Sequence, residues 1–518
     1  MSIAGRNAAG RRRQGLAAAA DRLVEFGRRY VADTGEGTIV LTVLVAFVAV
    51  WMVFWTISTA SVDIHVDNDE ALLWAKHFAF GYKHPPMTGW LFMAWFSIFP
   101  RQQWAVDLLN VTNCAVALGI AWRLLRDHLD KDRALLGLIA LILIPLYEVK
   151  AEVLNANTVM MPFWAATLLF YLRARRGLGM LDSFLAGALA SCTMLGKYWA
   201  VFLFAGMAAA ALIGPGTRRF WRSLAPYVMA AGATVVLAPH MRWLVSQHGG
   251  GAIQFAESVA NQASFATALK LSLYYIFGAI AYAGVPLIFL AALRPSKAAL
   301  ADIAWPADEE RRQAWILLTV PLVLPALVNL VIPYRLTPDW TFSNWALLPV
   351  VLYGARGLVV DDRAVARAGV FALIVVAAIV IATPVIAAFR ITYGPDRFRP
   401  HFRHVAELAQ DLAGKPIEFV WGSEDIVGGL FYYLPEAQRL NTNPLTPDGR
   451  AISMAHQLVV VCLTEDAACR RTADALTEAG VHTTIATSTR RFLGVSSQPL
   501  NFQITVVPQA EPPARTMD

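Results

Sequence analysis

Between residues 38 and 389 the chain is a succession of apolar runs separated by short polar loops, and several runs reach the roughly 20 residues that cross a bilayer. Such runs exclude a soluble globular fold. Lipid offers no hydrogen bonds to an open backbone, so each run must close its own as a helix. Eleven candidate spans fall at about 38–58, 104–125, 134–149, 158–173, 181–195, 197–213, 223–244, 271–293, 314–333, 340–360 and 368–389. In 181–213 the pair also reads as one broken helix. A further apolar segment, 87–99, is short for a span and carries Trp90, Trp95 and Phe96, which suits the membrane interface. The balance of 57% hydrophobic to 16% charged residues agrees, since soluble domains carry about a quarter charged residues.

The loop charges orient the bundle, because cytoplasmic loops collect Lys and Arg. One set of alternate loops holds Arg123, Arg126, Lys131 and Arg133, then Arg173, Arg175 and Arg176, then Arg218, Arg219 and Arg222, then Arg294, Lys297, Arg311 and Arg312, then Arg363 and Arg367. The other set holds little beyond Lys76, Lys83, Arg101, Lys150, Lys197, Lys270 and Arg335. These loops account for the net charge of +7, which therefore implies no nucleic-acid partner. Residues 1–37 form a basic N-terminus with Arg6, Arg11, Arg12, Arg13, Arg22, Arg28 and Arg29. The run after it is of spanning length, so it reads as an uncleaved first span with its N-terminus in the cytoplasm. The membrane region is then 38–390, with a first outer loop at 59–103.

After residue 390 the composition changes. Residues 396–507 alternate helical and strand patterns, and read as a small α/β domain outside the membrane. Helices are expected at His401–Ala413, Asp425–Leu434 and Ala467–Ala479, and strands at Ile417–Trp421, Leu458–Leu463, Val481–Thr487 and Phe502–Val507. The last residues, 508–518, are Pro-rich and read as a disordered tail. Four Cys are too few for a disulfide scaffold; Cys114 and Cys192 read as core, and a Cys462–Cys469 bridge is open but not favoured.

The densest chemistry lies in the first outer loop, from Asp67-Asn68-Asp69-Glu70 to Tyr82-Lys83-His84-Pro85-Pro86-Met87. Asp67 and Glu70 have the spacing of a helix capping box. On a helix over 68–80, Asp69 shares a face with Leu73, Lys76 and Phe80, while Asp67, Glu70, Trp74 and His77 lie opposite. Asp69 and Glu70 therefore cannot both address one substrate atom; we take Asp69 for chemistry and the other two acids mainly for bracing. The two prolines hold Lys83 and His84 at a rigid corner and open the next helix. Lys197, at the end of a span, is an ionisable residue of the kind that marks function in membranes. Other polar residues collect on the same side. They are Glu148, Lys150, Glu152, Asn155 and Asn157; then His248, Gln254 and Glu257; then Arg335, Asp339, Trp340, Asn344 and Trp345.

Asp69-Glu70-Ala-Leu-Leu-Trp, followed by Gly81-Tyr82-Lys83-His84-Pro85-Pro86-Met87 and Trp90, resembles the first outer loop of the GT-C glycosyltransferases. It is most similar to the protein O-mannosyltransferase and lipid A aminoarabinose transferase families and to rhizobial galacturonosyltransferase-like proteins. The resemblance implies a polytopic α-helical membrane protein with about eleven spans and the small C-terminal domain. It implies transfer of a sugar from a polyprenyl-phosphate donor to an envelope glycan, lipid A or other lipid, or protein. The reaction would take place at the periplasmic face of a bacterial inner membrane. Asp69 would be the catalytic acid-loop residue, accompanied by Glu70 and Asp67. Tyr82, Lys83, His84 and Lys197 would meet the donor phosphate. His248 and Arg335 would meet the acceptor or a metal. A divalent metal is the one cofactor allowed, its identity open, and Lys-His in place of the Glu-Lys of the aminoarabinose transferases removes one carboxylate ligand. A membrane scaffold displaying the tail domain would need only residues 396–518, and a transporter or flippase of a lipid-linked glycan expects ionisable residues near mid-membrane. Here they gather at one face.

Overall fold

The computed structural model describes residues 3–246, 264–393, 397–476 and 481–509. Each of the eleven apolar runs carries a helix. Among the described residues, six helices are long and apolar enough to cross a membrane: Glu36–Ser58, Gln103–His128, Ala225–Ser246, Phe265–Tyr282, Glu309–Val331 and Asp362–Tyr393. The others are shorter or more polar, among them Lys131–Ile142, Met160–Gly177, Met180–Gly196 and Val201–Ile213. Side-chain caps set several starts. Asp130 accepts from the Arg133 amide and Asp308 from that of Arg311, each satisfying a donor that the first helical turn leaves open. The 181–213 run resolves into two helices. Lys197 sits between them in extended backbone (φ −159°, ψ 141°), followed by a single tight turn at Tyr198–Ala200. Likewise the 271–293 run breaks at Ala283, between Phe265–Tyr282 and Gly284–Ala292. The short interfacial segment forms the helix Met87–Phe96, directly after Pro86.

By contacts the chain forms two units. The first comprises Met1–Met52, Ala79–Thr88 and Asp107–Ile379. Its interior is filled by large side chains such as Trp51, Trp164, Tyr171, Tyr275 and Tyr353, all nearly inaccessible. Helices Met180–Gly196 and Ala225–Ser246 approach closely because Gly187 lies against the Met229 carbonyl, where a Cβ would come within 1.8 Å. Small residues permit this backbone approach in lipid, where packing rather than the hydrophobic effect holds helices together.

The second unit comprises Val53–Phe78, Gly89–Val106 and Val380–Asp518. It contains strands β1 (Phe419–Gly422), β2 (Gln438–Arg439), β3 (Leu458–Leu463), β4 (His482–Ser488), β5 (Arg491–Phe492), β6 (Val495–Ser496) and β7 (Leu500–Val507). Five form one sheet in the order β2-β1-β3-β7-β4. The β1–β2 and β1–β3 pairs are parallel, whereas β7 runs antiparallel to β3 and β4. Strand β3 is buried on both faces, which is why it reads as an unbroken apolar run. Its Val459, Val461 and Leu463 pack with Phe402, Val405, Val420, Leu430 and Ile504, while Leu458, Val460 and Cys462 pack on the other face with Leu440 and Cys469.

Two sequence expectations change here, and two elements appear that the sequence did not signal. The helix expected over 425–434 is a single turn, Glu424–Val427. Strand β2 and the helix Pro447–Ala455 carry too weak a pattern to be read in advance. Cys462 and Cys469 are joined in a disulfide, their Cα atoms 5.5 Å apart. The bond links the end of β3 to the Ala467–Ala475 helix, which Asp466 caps by accepting from the Cys469 amide. The helix start thus presents Cys469 towards Cys462, a proximity that the spacing alone does not reveal.

Candidate active site

In the second unit the acid loop forms a short helix, Val66–Trp74, shorter than the 68–80 expected. Its N-cap is His65, whose Nδ1 accepts from the Asp67 amide at 3.1 Å, so the Asp67–Glu70 capping box does not form. The helix begins two residues earlier than that box requires. Asp67 therefore lies inside the first turn, where its charge still favours the helix dipole. Asp67 and Glu70 are half-buried, while Asp69 is wholly inaccessible. Asp69 Oδ2 accepts from the Phe431 amide at 3.0 Å, and Oδ1 has no hydrogen-bond partner among the described residues. Burial pushes the Asp69 carboxyl up to about 8, against the pull of the Phe431 and Tyr432 amides and the Lys76 charge. Lys76 in turn donates to the Ala437 carbonyl at 2.6 Å. Val66 and Leu73 of the same helix pack against the core around Phe402 and Val459.

In the first unit the loop 143–159 is pinned from below. Asn113 donates to the Thr158 carbonyl at 2.8 Å, and Asn110 donates to the Glu152 carbonyl. Asn155 Oδ1 accepts from the Asn157 and Thr158 amides, at 2.9 and 3.3 Å, which turns the Asn157 side chain outward from the chain bend. Asn157 Oδ1 then accepts from Lys197 Nζ at 2.7 Å. Lys197 is 5% exposed, and its ammonium lies 4.2 Å from the centre of the Trp340 ring, a cation–π contact. Trp340 meets Trp199 edge-on at 4.8 Å. Ser343 Oγ reaches the Asn157 carbonyl at 3.4 Å. Several buried polar atoms of this unit have no partner among the described residues: Trp199 Nε1, beside Trp340; both side-chain polar atoms of Asn344, next to Ser343; and Trp345 Nε1 and Glu148 Oε1. Unpaired buried polar atoms are uncommon, and several in one region mark where a polar ligand or water belongs.

Beside them Lys150 pairs with Asp339 Oδ1 at 2.6 Å, and the Tyr282 hydroxyl donates to the same oxygen. Burial works against the Lys150 charge, but Asp339 and Tyr282 outweigh it and raise the ammonium's pKa.

The loop 79–88 of the first unit carries Tyr82, Lys83 and His84. Tyr82 and His84 are half-buried, Lys83 is exposed, and Pro85, Pro86 and Met87 are buried. His240, at the end of the Ala225–Ser246 helix, holds this loop. Its Nδ1 meets the Phe80 carbonyl at 2.5 Å and its Nε2 meets the Tyr198 hydroxyl at 2.9 Å. Gly81 lies flat on Trp243, with space for no side chain: a Cβ would come within 2.1 Å of the indole.

Of the first-unit candidates, the structure gathers Lys197 with Asn157 and Trp340, and ties the Lys83-bearing loop to Tyr198. Arg335 is exposed and makes no ion pair among the described residues. His248, Gln254 and Glu257 lie outside the described residues. No group of three or more His, Cys, Asp or Glu side chains converges on a metal position among the described residues. Sequence reasoning passed over His240 and Tyr282. His240, an ionisable residue in an apolar run, carried a readable signal. Tyr282 at a helix end carried none.

The comparisons with known proteins bear on this arrangement. A family model described as dolichyl-phosphate-mannose-protein mannosyltransferase matches residues 83–243, which include Lys83, His84, Asn157, Lys197, Tyr198 and His240. The crystal structure of ArnT from Cupriavidus metallidurans in the apo state superposes with a TM-score of 0.60 at 13% identity, covering 91% of this chain and 99% of that one. The structure of the same protein bound to undecaprenyl phosphate gives 0.57 at 13% identity, covering 92% and 100%. No curated protein matches the sequence. The resemblance to the GT-C glycosyltransferases read from the first outer loop is borne out, and the fold is that of ArnT.

Proposed function

We propose, taking the GT-C likeness as premise, that this chain is a membrane glycosyltransferase that moves a sugar from a polyprenyl-phosphate-linked donor to a cell-envelope acceptor. The observation that carries the reading is the buried Lys197 ammonium, held by Asn157 and Trp340 among unpaired polar atoms, within an ArnT-like fold. As the glycosidic bond breaks, negative charge builds on the leaving phosphate, and a fixed cation in a water-poor site stabilises it more than water would. Lys197 fits that task. Lys83, His84 and Tyr82 form the second element of the phosphate site.

The proton from the acceptor hydroxyl goes to Asp69. Its pKa of about 8 lies near working pH, which suits a general base. Phe431 N–H fixes Oδ2, and the unpartnered Oδ1 is the position for the incoming hydroxyl. Access to Oδ1 requires the atoms covering it to move aside. Because the described carboxylates and histidines do not form a metal set, no step here runs through a metal. We assign the acid loop and residues 397–509 to the periplasmic side of the inner membrane. The Cys462–Cys469 disulfide supports this, since such bonds persist in oxidising compartments.

The test is a transfer assay with purified full-length protein and an undecaprenyl-phosphate-linked sugar pool from the source membrane. Envelope glycans and lipids of a deletion strain are compared by mass spectrometry to identify the acceptor. Release of undecaprenyl phosphate with a glycosylated product is expected. Movement of the lipid-linked sugar across vesicles with no product would replace the enzyme reading with the transporter one.

A further inference from the structure

The Tyr198–His240–Phe80 chain of hydrogen bonds joins two parts of the first unit that the proposed phosphate site needs together. One end is Tyr198, the residue after Lys197. The other is the carbonyl of Phe80, three residues before Lys83. His240 between them is 1% exposed. A carbonyl can only accept, so His240 Nδ1 carries the hydrogen given to Phe80, and in the neutral ring Nε2 accepts from the Tyr198 hydroxyl. Each bond has the buried His240 ring at one end. Breaking either leaves a buried polar group unpaired, which costs more than the bond itself contributes in net terms. Trp243, one turn on, stacks on His240 (ring centres 5.8 Å apart, 19° between planes) and lies against Gly81. The helix end thus grips the loop with one polar and one flat contact.

We infer that His240 is a positioning residue: through Tyr198 on one side and the Phe80 carbonyl on the other, it sets the Lys83–His84 loop at a fixed place relative to Lys197, so that both bases address one phosphate. This rests on the phosphate-site reading above. Without His240 the loop keeps its charge but not its place, and a cation on a mobile loop contributes little to affinity because ordering it consumes the gain.

The experiment is a double-mutant cycle on binding of undecaprenyl phosphate to the full-length protein in detergent. Lys83→Ala and His240→Ala are each expected to weaken binding about tenfold, equivalent to one charge-assisted hydrogen bond. In the His240→Ala background, Lys83→Ala should cost less than about twofold, because the lysine is already misplaced. His240→Asn, which keeps a donor near the Nδ1 position for Phe80, should recover part of the lost affinity. If His240→Ala does not fold, Tyr198→Phe replaces it in the same cycle. Losses that multiply, with Lys83→Ala still costing about tenfold beside His240→Ala, overturn the positioning role and leave the phosphate site standing. If neither Lys83→Ala nor Lys197→Ala changes binding, the phosphate-site reading and this inference fall together.

Discussion

Asp69 offers a test that needs no substrate. Its carboxyl rises from an ordinary 3.8 to about 8 through burial, so the folded protein holds this proton more tightly than the unfolded chain does. Stability is therefore fully present below about pH 4 and falls as pH rises towards 8, levelling off above it. Between pH 6 and pH 9 the loss from this one group is about 3 kcal/mol, taking about 1.4 kcal/mol for each tenfold difference in proton affinity. Asp69→Asn keeps an oxygen for the Phe431 amide and is neutral at both pH values. Thermal unfolding of the two proteins in detergent, followed by intrinsic fluorescence, isolates the effect, since all other groups titrate in both. At pH 6 the variant should lie within about 1 kcal/mol of the wild type, because the native carboxyl is itself protonated there. At pH 9 it should be the more stable of the two. Equal pH slopes would refute a desolvated Asp69, and with it the assignment of this carboxyl as a base tuned near neutrality. In the transfer assay the same variant should lose about 100-fold or more in rate, the usual worth of a general base.

Lys197→Met should weaken donor binding by roughly 10- to 100-fold, the loss of a charge-assisted hydrogen bond, while the melting temperature stays level or rises because a buried charge is gone. Titration with undecaprenyl phosphate and a parallel melt check both parts. Gly81→Ala drives a methyl into the Trp243 ring and should displace the loop at a cost of about 1–3 kcal/mol. Faster limited trypsin cleavage after the exposed Lys83 is the readout. Replacing Cys462 and Cys469 together by Ser removes a bond that closes a short loop, with an expected loss of about 2–3 kcal/mol. Thiol labelling of the unreduced, denatured wild type should modify Cys114 and Cys192 alone.

The sequence alone determined the class of molecule. Apolar run length and the alternation of basic loops are local signals, and helices formed on all eleven runs because each closes its backbone bonds within itself. Strand β3 was equally legible, since a run buried on both faces is apolar throughout. The Pro85-Pro86 corner and the helix after it also read correctly, because proline restricts the backbone locally. What sequence could not decide is who meets whom. Asp69 and the Phe431 amide lie 362 residues apart, and no periodicity encodes that pairing. Its burial follows from how the chain packs around residues 431–437 and not from the spacing of the acids, whereas Asp67 is placed inside the helix by a local cap, His65. Lys197 was marked by its charge at a span end, but its neighbours were not. Asn157 and Trp340 come from other segments, and only the tertiary structure brings their side chains to one ammonium. His240 shows the same division: its place in an apolar run signalled a role, and the two hydrogen bonds that define the role required the fold.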